Sequence, residues 1–444
     1  MEADLLEILD AREKRVKKQK KLLAQYQKPL VCFTMNIPGP EKLNDEIKIG
    51  FFIGNRLLSD ALKGKKVLHR EMHTENTGCE AFYVVDMPAR ELKQLAVEIE
   101  DADAVGRLFD MDVLDIDGQK LDRESIGYPR RMCLLCEKDA VVCGRSRAHT
   151  VQELQDKTGF LLYLAGRQHL AEFIAVRAYL ALTQEVSITP KPGLVDRNNT
   201  GSHRDMDLRH FFASATALRP YFCQCAEAGF LTRSLPPEET FRRIRPLGME
   251  AEQVMLTATR GVNTHKGAIF SLGILCAAAG RSVPQQWSAE KLLDLCGDMT
   301  QGLVAADFAG INRENAKTAG ERLYAGYGIT GVRGQAEQGF PAAKACLPVL
   351  QQGLAQGLGL NHAGAATLLH LLCAADDTNL IHRSDRQTQL ALQQRLQDLL
   401  QSNPFPSIDT IAQLDREFIE KNLSPGGSAD LLALCFFLLF LCEG

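Results

Sequence analysis

The stretch SPGGSADLLALCFFLLFLC, Ser424 to Cys442, runs a glycine-rich polar turn straight into an unbroken apolar segment. The apolar part, Leu431 to Cys442, is too short to span a bilayer and reads as a buried helix. Other segments of the second half read as helices too. Phe160 to Thr183, Leu208 to Ala228, Ala251 to Thr259, Ala268 to Ala279, Ala342 to Gly357, Ala363 to Ala375 and Thr388 to Gln401 all carry apolar residues at helical spacing. Strand signals are scarce there, so the spacing predicts an all-α helical domain over residues 159–444.

The turn before the apolar helix is one of five polar, glycine-studded clusters in this half. The others are TPKPGLVDRNNTGSHRDMD (Thr189 to Asp207), GVNTHKG (Gly261 to Gly267), GITGVRGQAEQGFP (Gly328 to Pro341) and DDTNL (Asp376 to Leu380). Helices need no such clusters to pack. Chemically dense junctions separated by plain scaffold point to several helix ends meeting around one polar ligand. Their carboxylates, Lys, Arg, His and glycine-rich backbone suit an anionic, phosphorylated one.

Each cluster allows a structural reading and a chemical one. His203, Asp205 and Asp207 alternate at the start of a helix, where Asp205 is either an N-cap or part of a divalent-metal site suited to Mg²⁺. Asp376 and Asp377 follow an Ala/Leu-rich helix, where carboxylates are disfavoured by the helix dipole. A cation would compensate them; solvation at a loop is the alternative. Ser428 is either an N-cap or, with Gly426 and Gly427, part of a phosphate seat at a helix start. Lys191, His265, Lys266 and Arg333 lie on Gly- or Pro-flanked turns and are either phosphate contacts or solvated loop residues. No GxxxxGK[ST] occurs, so any nucleotide is held without a P-loop.

At 444 residues the chain calls for two domains, and its 45% hydrophobic and 24% charged residues are those of a globular protein. A net charge of −4 argues against nucleic-acid binding. The start, MEADLLEILDAREKRVKKQKK, puts charges where a signal peptide needs an apolar core, and no segment reads as a membrane span. With 13 mostly scattered cysteines, this fits a cytoplasmic enzyme with reduced thiols.

Residues 1–158 mix element types and read as an α/β domain with a mixed sheet. Leu5 to Gln27 is a charged amphipathic helix. Leu30 to Ile37, Glu80 to Met87 and Arg107 to Ile116 read as strands, the last followed by a turn at Asp117-Gly118. Asp110 and Asp112 stand two apart on a strand, so both face one side; they are a Mg²⁺ pair for nucleotidyltransferase-like chemistry or a solvated strand face. Cys133, Cys136, Cys143 and His149 give C-x₂-C-x₆-C-x₅-H, ligand types that zinc takes, but the irregular spacing favours a packed thiol cluster. Arg145 and Arg147 beside His149 form either a phosphate grip or a solvated basic loop. The basic face Arg12 to Lys21 is solvated or docks an acidic partner.

Together the clusters TPKPGLVD, GVNTHKG and SPGGSAD make Phe160 to Gly444 closely resemble the triphosphoribosyl-dephospho-CoA synthases of citrate lyase maturation. The pattern departs at His382-Arg383-Ser384-Asp385, where the family places glycines after the arginine. REKRVKKQKKLLAQY, PLVCFTMNIPGP, RLFDMDVLD and CLLCEKDAVVCGRSRAHT make Met1 to about Gln155 similar to the apo-citrate lyase phosphoribosyl-dephospho-CoA transferases. The resemblance implies a bifunctional transferase. One half would join 3′-dephospho-CoA to the ribose of ATP with release of adenine. The other would move phosphoribosyl-dephospho-CoA to a serine of the apo acyl carrier protein with release of pyrophosphate. On that implication Asp205, Asp207, Asp376 and Asp377 serve metal binding and oxocarbenium stabilisation, and His203 is a base. Lys191, His265, Lys266, Arg333 and Ser428 hold phosphates; Asp110 and Asp112 bind Mg²⁺; Arg145, Arg147 and His149 contact phosphates. The same chemistry serving malonate decarboxylase, and a scaffold that binds CoA derivatives without catalysis, are the alternatives.

Overall fold

The computed structural model describes residues 4–443. Two compact units emerge: Met1–Leu170 with Val283–Gln285, and Ala171–Ser282 with Gln286–Gly444. In chain order the first contains α1 (Leu5–Tyr26), β1 (Leu30–Met35), α2 (Asp45–Ala61), β2 (Val67–Glu75), β3 (Gly78–Val85), α3 (Ala89–Asp101), β4 (Phe109–Leu114), β5 (Lys120–Leu121), α4 (Ala140–Ser146) and α5 (Val151–Leu164).

The strands form one sheet in the order β2-β3-β1-β4-β5. Every neighbouring pair is antiparallel, which corrects the mixed sheet expected from the sequence. The connections explain why. α2 carries the chain from β1 to β2, and a tight turn at Asn76-Thr77 folds β3 back between them. α3 then returns the chain so that β4 lies on the other side of β1. This is the split βαβ arrangement of ferredoxin-like sheets, in which the parallel strands are never neighbours.

β1 is apolar at consecutive positions because both of its faces are covered. Leu30 and Cys32 pack with Leu22 and Leu23 of α1. On the other face Phe33 stacks on Phe51 of α2 at 5.0 Å and meets Phe109 edge-on at 5.6 Å. β4 alternates instead: Phe109, Met111 and Val113 are buried, while Asp110 and Asp112 share the opposite, half-buried face. β2 has no apolar alternation (VLHREMHTE) and escapes sequence reading; it is an edge strand, where charge blunts further pairing. The basic face of α1 is partly spent on this sheet. Arg15 Nε donates to Glu80 at 2.6 Å and Lys18 Nζ to Glu71 at 2.6 Å. Arg12, Lys17, Lys20 and Lys21 stay exposed.

The second unit is helical: α6 (Ala171–Ser187), α7 (Leu208–Leu231), α8 (Pro237–Ala258), α9 (Lys266–Arg281), α10 (Ala289–Met299), α11 (Leu303–Asp307), α12 (Ala319–Tyr327), α13 (Gly331–Glu337), α14 (Pro341–Ala355), α15 (Leu360–Ala374), α16 (Thr378–Arg383), α17 (Arg386–Ser402), α18 (Ile408–Glu420) and α19 (Gly426–Cys442). α19 is its axis, packed by α6, α9, α14, α15 and α16. Leu432, Leu434, Cys435, Phe436 and Phe437 are all 0% exposed, which explains a helix apolar on every side. α7 and α9 cross backbone to backbone. A Cβ on Gly229 would lie 2.0 Å from the Ala277 carbonyl oxygen, and one on Gly280 would lie 2.0 Å from that of Ala226. α8 starts at Pro237, well before the periodicity from Ala251 announces it, because its first half is mostly polar. No helix among the described residues is long and apolar enough to cross a membrane.

Candidate functional site

The polar clusters of the second unit meet around one cavity of about 440 Å³, within the range of small-molecule sites. Its wall takes Lys191 and His203 from the loop between α6 and α7, His265 and Lys266 from the start of α9, Asp376 from the α15–α16 junction, and Ser428 from the first turn of α19. Asp205, Asp207, Arg333 and Asp377 do not line it.

The reasons lie in helix ends. Asp207 is the N-cap of α7: its Oδ1 accepts from the Arg209 and His210 amides and lies 2.8 Å from His210 Nδ1, which holds the carboxyl below its usual range. Asp205 is exposed, its carboxylate 4.0 Å from His203 Nδ1. Arg333 turns to Asp307, which it meets at 2.7 Å. Asp377 is the N-cap of α16 rather than the tail of the preceding helix, so the dipole favours it and no cation is required there. Its Oδ1 accepts from the Asn379 and Leu380 amides, both at 3.1 Å. Its Oδ2 accepts the Ser428 amide at 2.7 Å and the Ser428 hydroxyl at 2.9 Å. The glycine-rich start of α19 therefore holds an anion already, the Asp377 carboxylate. The four aspartates expected to share a metal are not gathered at one point.

His203 is half-buried and clamped. Arg383 Nη2 donates to its Nδ1 at 3.1 Å, and its Nε2 lies 2.8 Å from Ser424 Oγ. Burial first, and Arg383 second, hold its pKa below the ordinary histidine value. With Nδ1 occupied by a guanidinium, its ring is a neutral donor to Ser424, not an open base. His265 is the reverse case. It is buried, its Nδ1 lies 2.7 Å from Ser214 Oγ, and Phe211 stands edge-on to its ring. Burial, aided by Lys191, pushes its pKa down to about 3. Its Nε2 and the neighbouring Thr264 Oγ1 are buried without a hydrogen-bond partner, and both residues line the cavity. Orphaned buried polar atoms are rare, and two side by side in a cavity wall mark a place where a ligand completes them.

Lys191 is only 2% exposed, and its Nζ meets Glu185 Oε1 at 2.6 Å. Lys266 reaches Glu252 at 2.8 Å from a largely exposed position. Asp376 pairs with Arg386 and accepts from Gln389 Nε2 at 3.1 Å. The cavity also contains residues that single-motif reading passed over: Glu185, Arg383, Ser424, Asn263 and Asp430. Asp430 lies inside the SPGGSAD cluster, so a signal was present. Burial, then Glu185 and Asp377, push its pKa well above the ordinary aspartate value. A Cβ on Gly267 would lie 2.0 Å from Asp430 Oδ2, so a larger residue there would displace the Asp430 carboxyl. Glu185 enters the core with Lys191, the charge that accompanies it.

Mg²⁺ takes one or two carboxylates and fills its shell with phosphate and water. Asp376 on the cavity wall fits that demand; Asp377 and Asp207, spent on helix amides, do not. In the first unit Asp110 and Asp112 lie on the sheet face that Thr34 and Glu80 share. Lys120 Nζ meets Asp112 at 2.6 Å; burial, then Asp112, raise the pKa of Asp110. Two carboxylates crowding one another in this way fit a divalent ion. Arg145 and Arg147 are exposed, whereas His149 turns to the thiols, its Nε2 3.3 Å from Cys136 Sγ.

Comparison with known proteins adds the following. Residues 171–444 match the family described as ATP:dephospho-CoA triphosphoribosyl transferase, and residues 3–162 match apo-citrate lyase phosphoribosyl-dephospho-CoA transferase. A protein called CitXG from Haemophilus influenzae is 37% identical, covering 97% of this chain and 95% of its own. Its namesake from Leuconostoc mesenteroides is 34% identical over 98% and 96%. A 2-(5''-triphosphoribosyl)-3'-dephosphocoenzyme-A synthase from Haemophilus ducreyi is 37% identical, covering 69% of this chain and 99% of its own.

Proposed function

The chain belongs to the family in which an apo-citrate lyase phosphoribosyl-dephospho-CoA transferase is fused to an ATP:dephospho-CoA triphosphoribosyl transferase, and we propose that its two activities divide between its two units. It is a bifunctional transferase of citrate lyase maturation. It makes triphosphoribosyl-dephospho-CoA and passes phosphoribosyl-dephospho-CoA to the apo acyl carrier protein.

In the second unit the 2′-hydroxyl of 3′-dephospho-CoA attacks C1′ of the ATP ribose, the bond to adenine breaks, and the hydroxyl proton is lost as adenine gains one. The observation that carries this assignment is the pair of orphaned polar atoms, His265 Nε2 and Thr264 Oγ1, in a cavity that also holds cations and carboxylates. His265, kept neutral by burial, accepts the hydroxyl proton at Nε2. Asp430, whose pKa is raised by burial and by Glu185 and Asp377 beside it, donates to the departing adenine. Asp376 stabilises oxocarbenium character at C1′. Lys266 and Arg383 hold the triphosphate, and Asp376 would hold Mg²⁺, which would supply neutralisation of the phosphate charge. Lys191, neutralised by Glu185, shapes the floor. Asp377, Asp207 and His203 are positioning residues, and Asp205 and Arg333 lie outside the cavity wall.

In the first unit Asp110 and Asp112 would hold Mg²⁺, which would supply charge neutralisation for the departing pyrophosphate, with Arg145 and Arg147 as phosphate contacts. The exposed cations of α1 offer an acidic carrier protein a docking face. Adenine release from ATP, dephospho-CoA and Mg²⁺ tests the synthase assignment. His265→Gln and Asp430→Asn should each lower it at least about a hundredfold; normal rates in both would refute these roles.

A further inference from the structure

The cysteines of this protein are mostly buried one by one, but three are not. Cys133, Cys136 and Cys143 converge with His149 so that their ligand atoms all lie within 4.8 Å of one another, the one such His/Cys/Asp/Glu group among the described residues. Cys136 Sγ is 3.4 Å from Cys143 Sγ and 3.3 Å from His149 Nε2. A tetrahedral zinc with Zn–S of about 2.3 Å spaces its sulfurs about 3.8 Å apart, so these atoms are already at the spacing of one coordination shell.

The backbone around them is built for the same end. Cys133 and Cys136 sit in a turn closed by Cys133 N donating to Lys138 O at 2.7 Å and Ala140 N donating to Arg131 O at 2.9 Å. The Leu135 amide points at Cys133 Sγ from 3.5 Å, a donor placed where a thiolate would carry charge. Asp139 caps α4, which supplies Cys143, and His149 immediately precedes Thr150, the N-cap of α5. Apolar burial holds this segment only weakly: Met132, Val141 and Val142 are 43%, 53% and 56% exposed, while Leu134 packs, partly buried, against Ile47, Leu108, Leu161 and Leu162. A segment with so little core needs another staple.

We propose that Cys133, Cys136, Cys143 and His149 bind one structural Zn²⁺. The spacing read from sequence favoured a packed thiol cluster; the convergence of all four ligand atoms reverses that preference. Four protein ligands close the shell, so the ion folds the segment and does no chemistry. Arg145 and Arg147 lie between the third and fourth ligands, and the ion would fix the loop that carries them. The proposal stands independently of the roles assigned to the second unit.

The test uses the full chain purified without chelator or added metal. Elemental analysis should find about one zinc per chain. Replacing it with Co²⁺ should give thiolate charge-transfer and tetrahedral d–d absorption, both lost in Cys136→Ser and in His149→Ala. Removing the zinc with a zinc-selective chelator, with Mg²⁺ kept in excess, should lower transfer to the carrier protein while adenine release persists. Zinc below about a tenth of an equivalent together with no tetrahedral Co²⁺ spectrum in the wild type would overturn the proposal. So would an intact mass short by two hydrogens, the mark of a disulfide. The wild-type cobalt titration keeps the result decisive even if the variants fail to fold.

Discussion

Replacing Asp377 by Asn should separate the residues that position the cavity from those that act in it. The Asp377 carboxylate takes four hydrogen bonds, from two amides of α16 and from the amide and hydroxyl of Ser428. Asparagine keeps one acceptor oxygen and remains a good N-cap, so the α16 side can survive. On the other side its NH₂ would face the Ser428 amide, donor against donor. One buried donor left unpaired costs about 1–3 kcal/mol, and losing the charge on a second bond adds about 1 kcal/mol, a total of about 2–4 kcal/mol. For a unit of this size that is a melting-temperature drop of roughly 4–7 °C. Ser428 and the tip of α19 would shift, and adenine release should fall with the stability. Asp376→Asn is the control. Its carboxylate lines the cavity, is partly exposed, and anchors no helix amide, so adenine release should fall about a hundredfold or more with little change in melting. If Asp377→Asn melted like wild type yet lost activity as Asp376→Asn does, Asp377 would belong to the chemistry and the anchoring argument would be wrong.

Other outcomes follow from the same geometry. Asp110→Asn should abolish transfer to the carrier protein and leave adenine release intact; a joint loss of both would contradict the division of labour between units. His265 has a pKa of about 3 in the fold against an ordinary 6.5, so only the unfolded chain takes up its proton between those values. Stability from this group is therefore full above about pH 6.5 and declines as pH falls towards 3. Urea midpoints measured from pH 7.5 down to about 5 should show that decline, and His265→Gln should reduce it; an equal slope in the variant would refute the assignment. Phe437→Ala, at the fully buried centre of α19, should cost about 3–5 kcal/mol and lower adenine release through stability alone.

Much of the second unit was legible because its helices are long and periodic, and because the polar clusters fall at helix ends. The same pattern predicted that several helix ends would meet around one ligand; His203, Lys266, Asp376 and Ser428 line the cavity, whereas Asp205, Asp207, Arg333 and Asp377 do not. What sequence could not give was direction. Asp376 and Asp377 are neighbours of one type, yet one faces the cavity and the other turns to the start of α19. Only the packing of α16 against α19 decides that. Glu185 lies in an ordinary helix, and nothing local tells a buried glutamate from a solvated one. In the first unit three strands were visible from their apolar content, but β2 is a polar edge. Its absence concealed the hairpin that makes the sheet antiparallel throughout.

The central claim is that distant helix tips of the second unit converge on one bound nucleotide. Amide hydrogen exchange with and without Mg²⁺ and ATP tests it directly. Residues 261–267, 376–383 and 424–430 should slow together when the nucleotide is added. Protection of only one of these segments, or protection confined to the first unit, would contradict it.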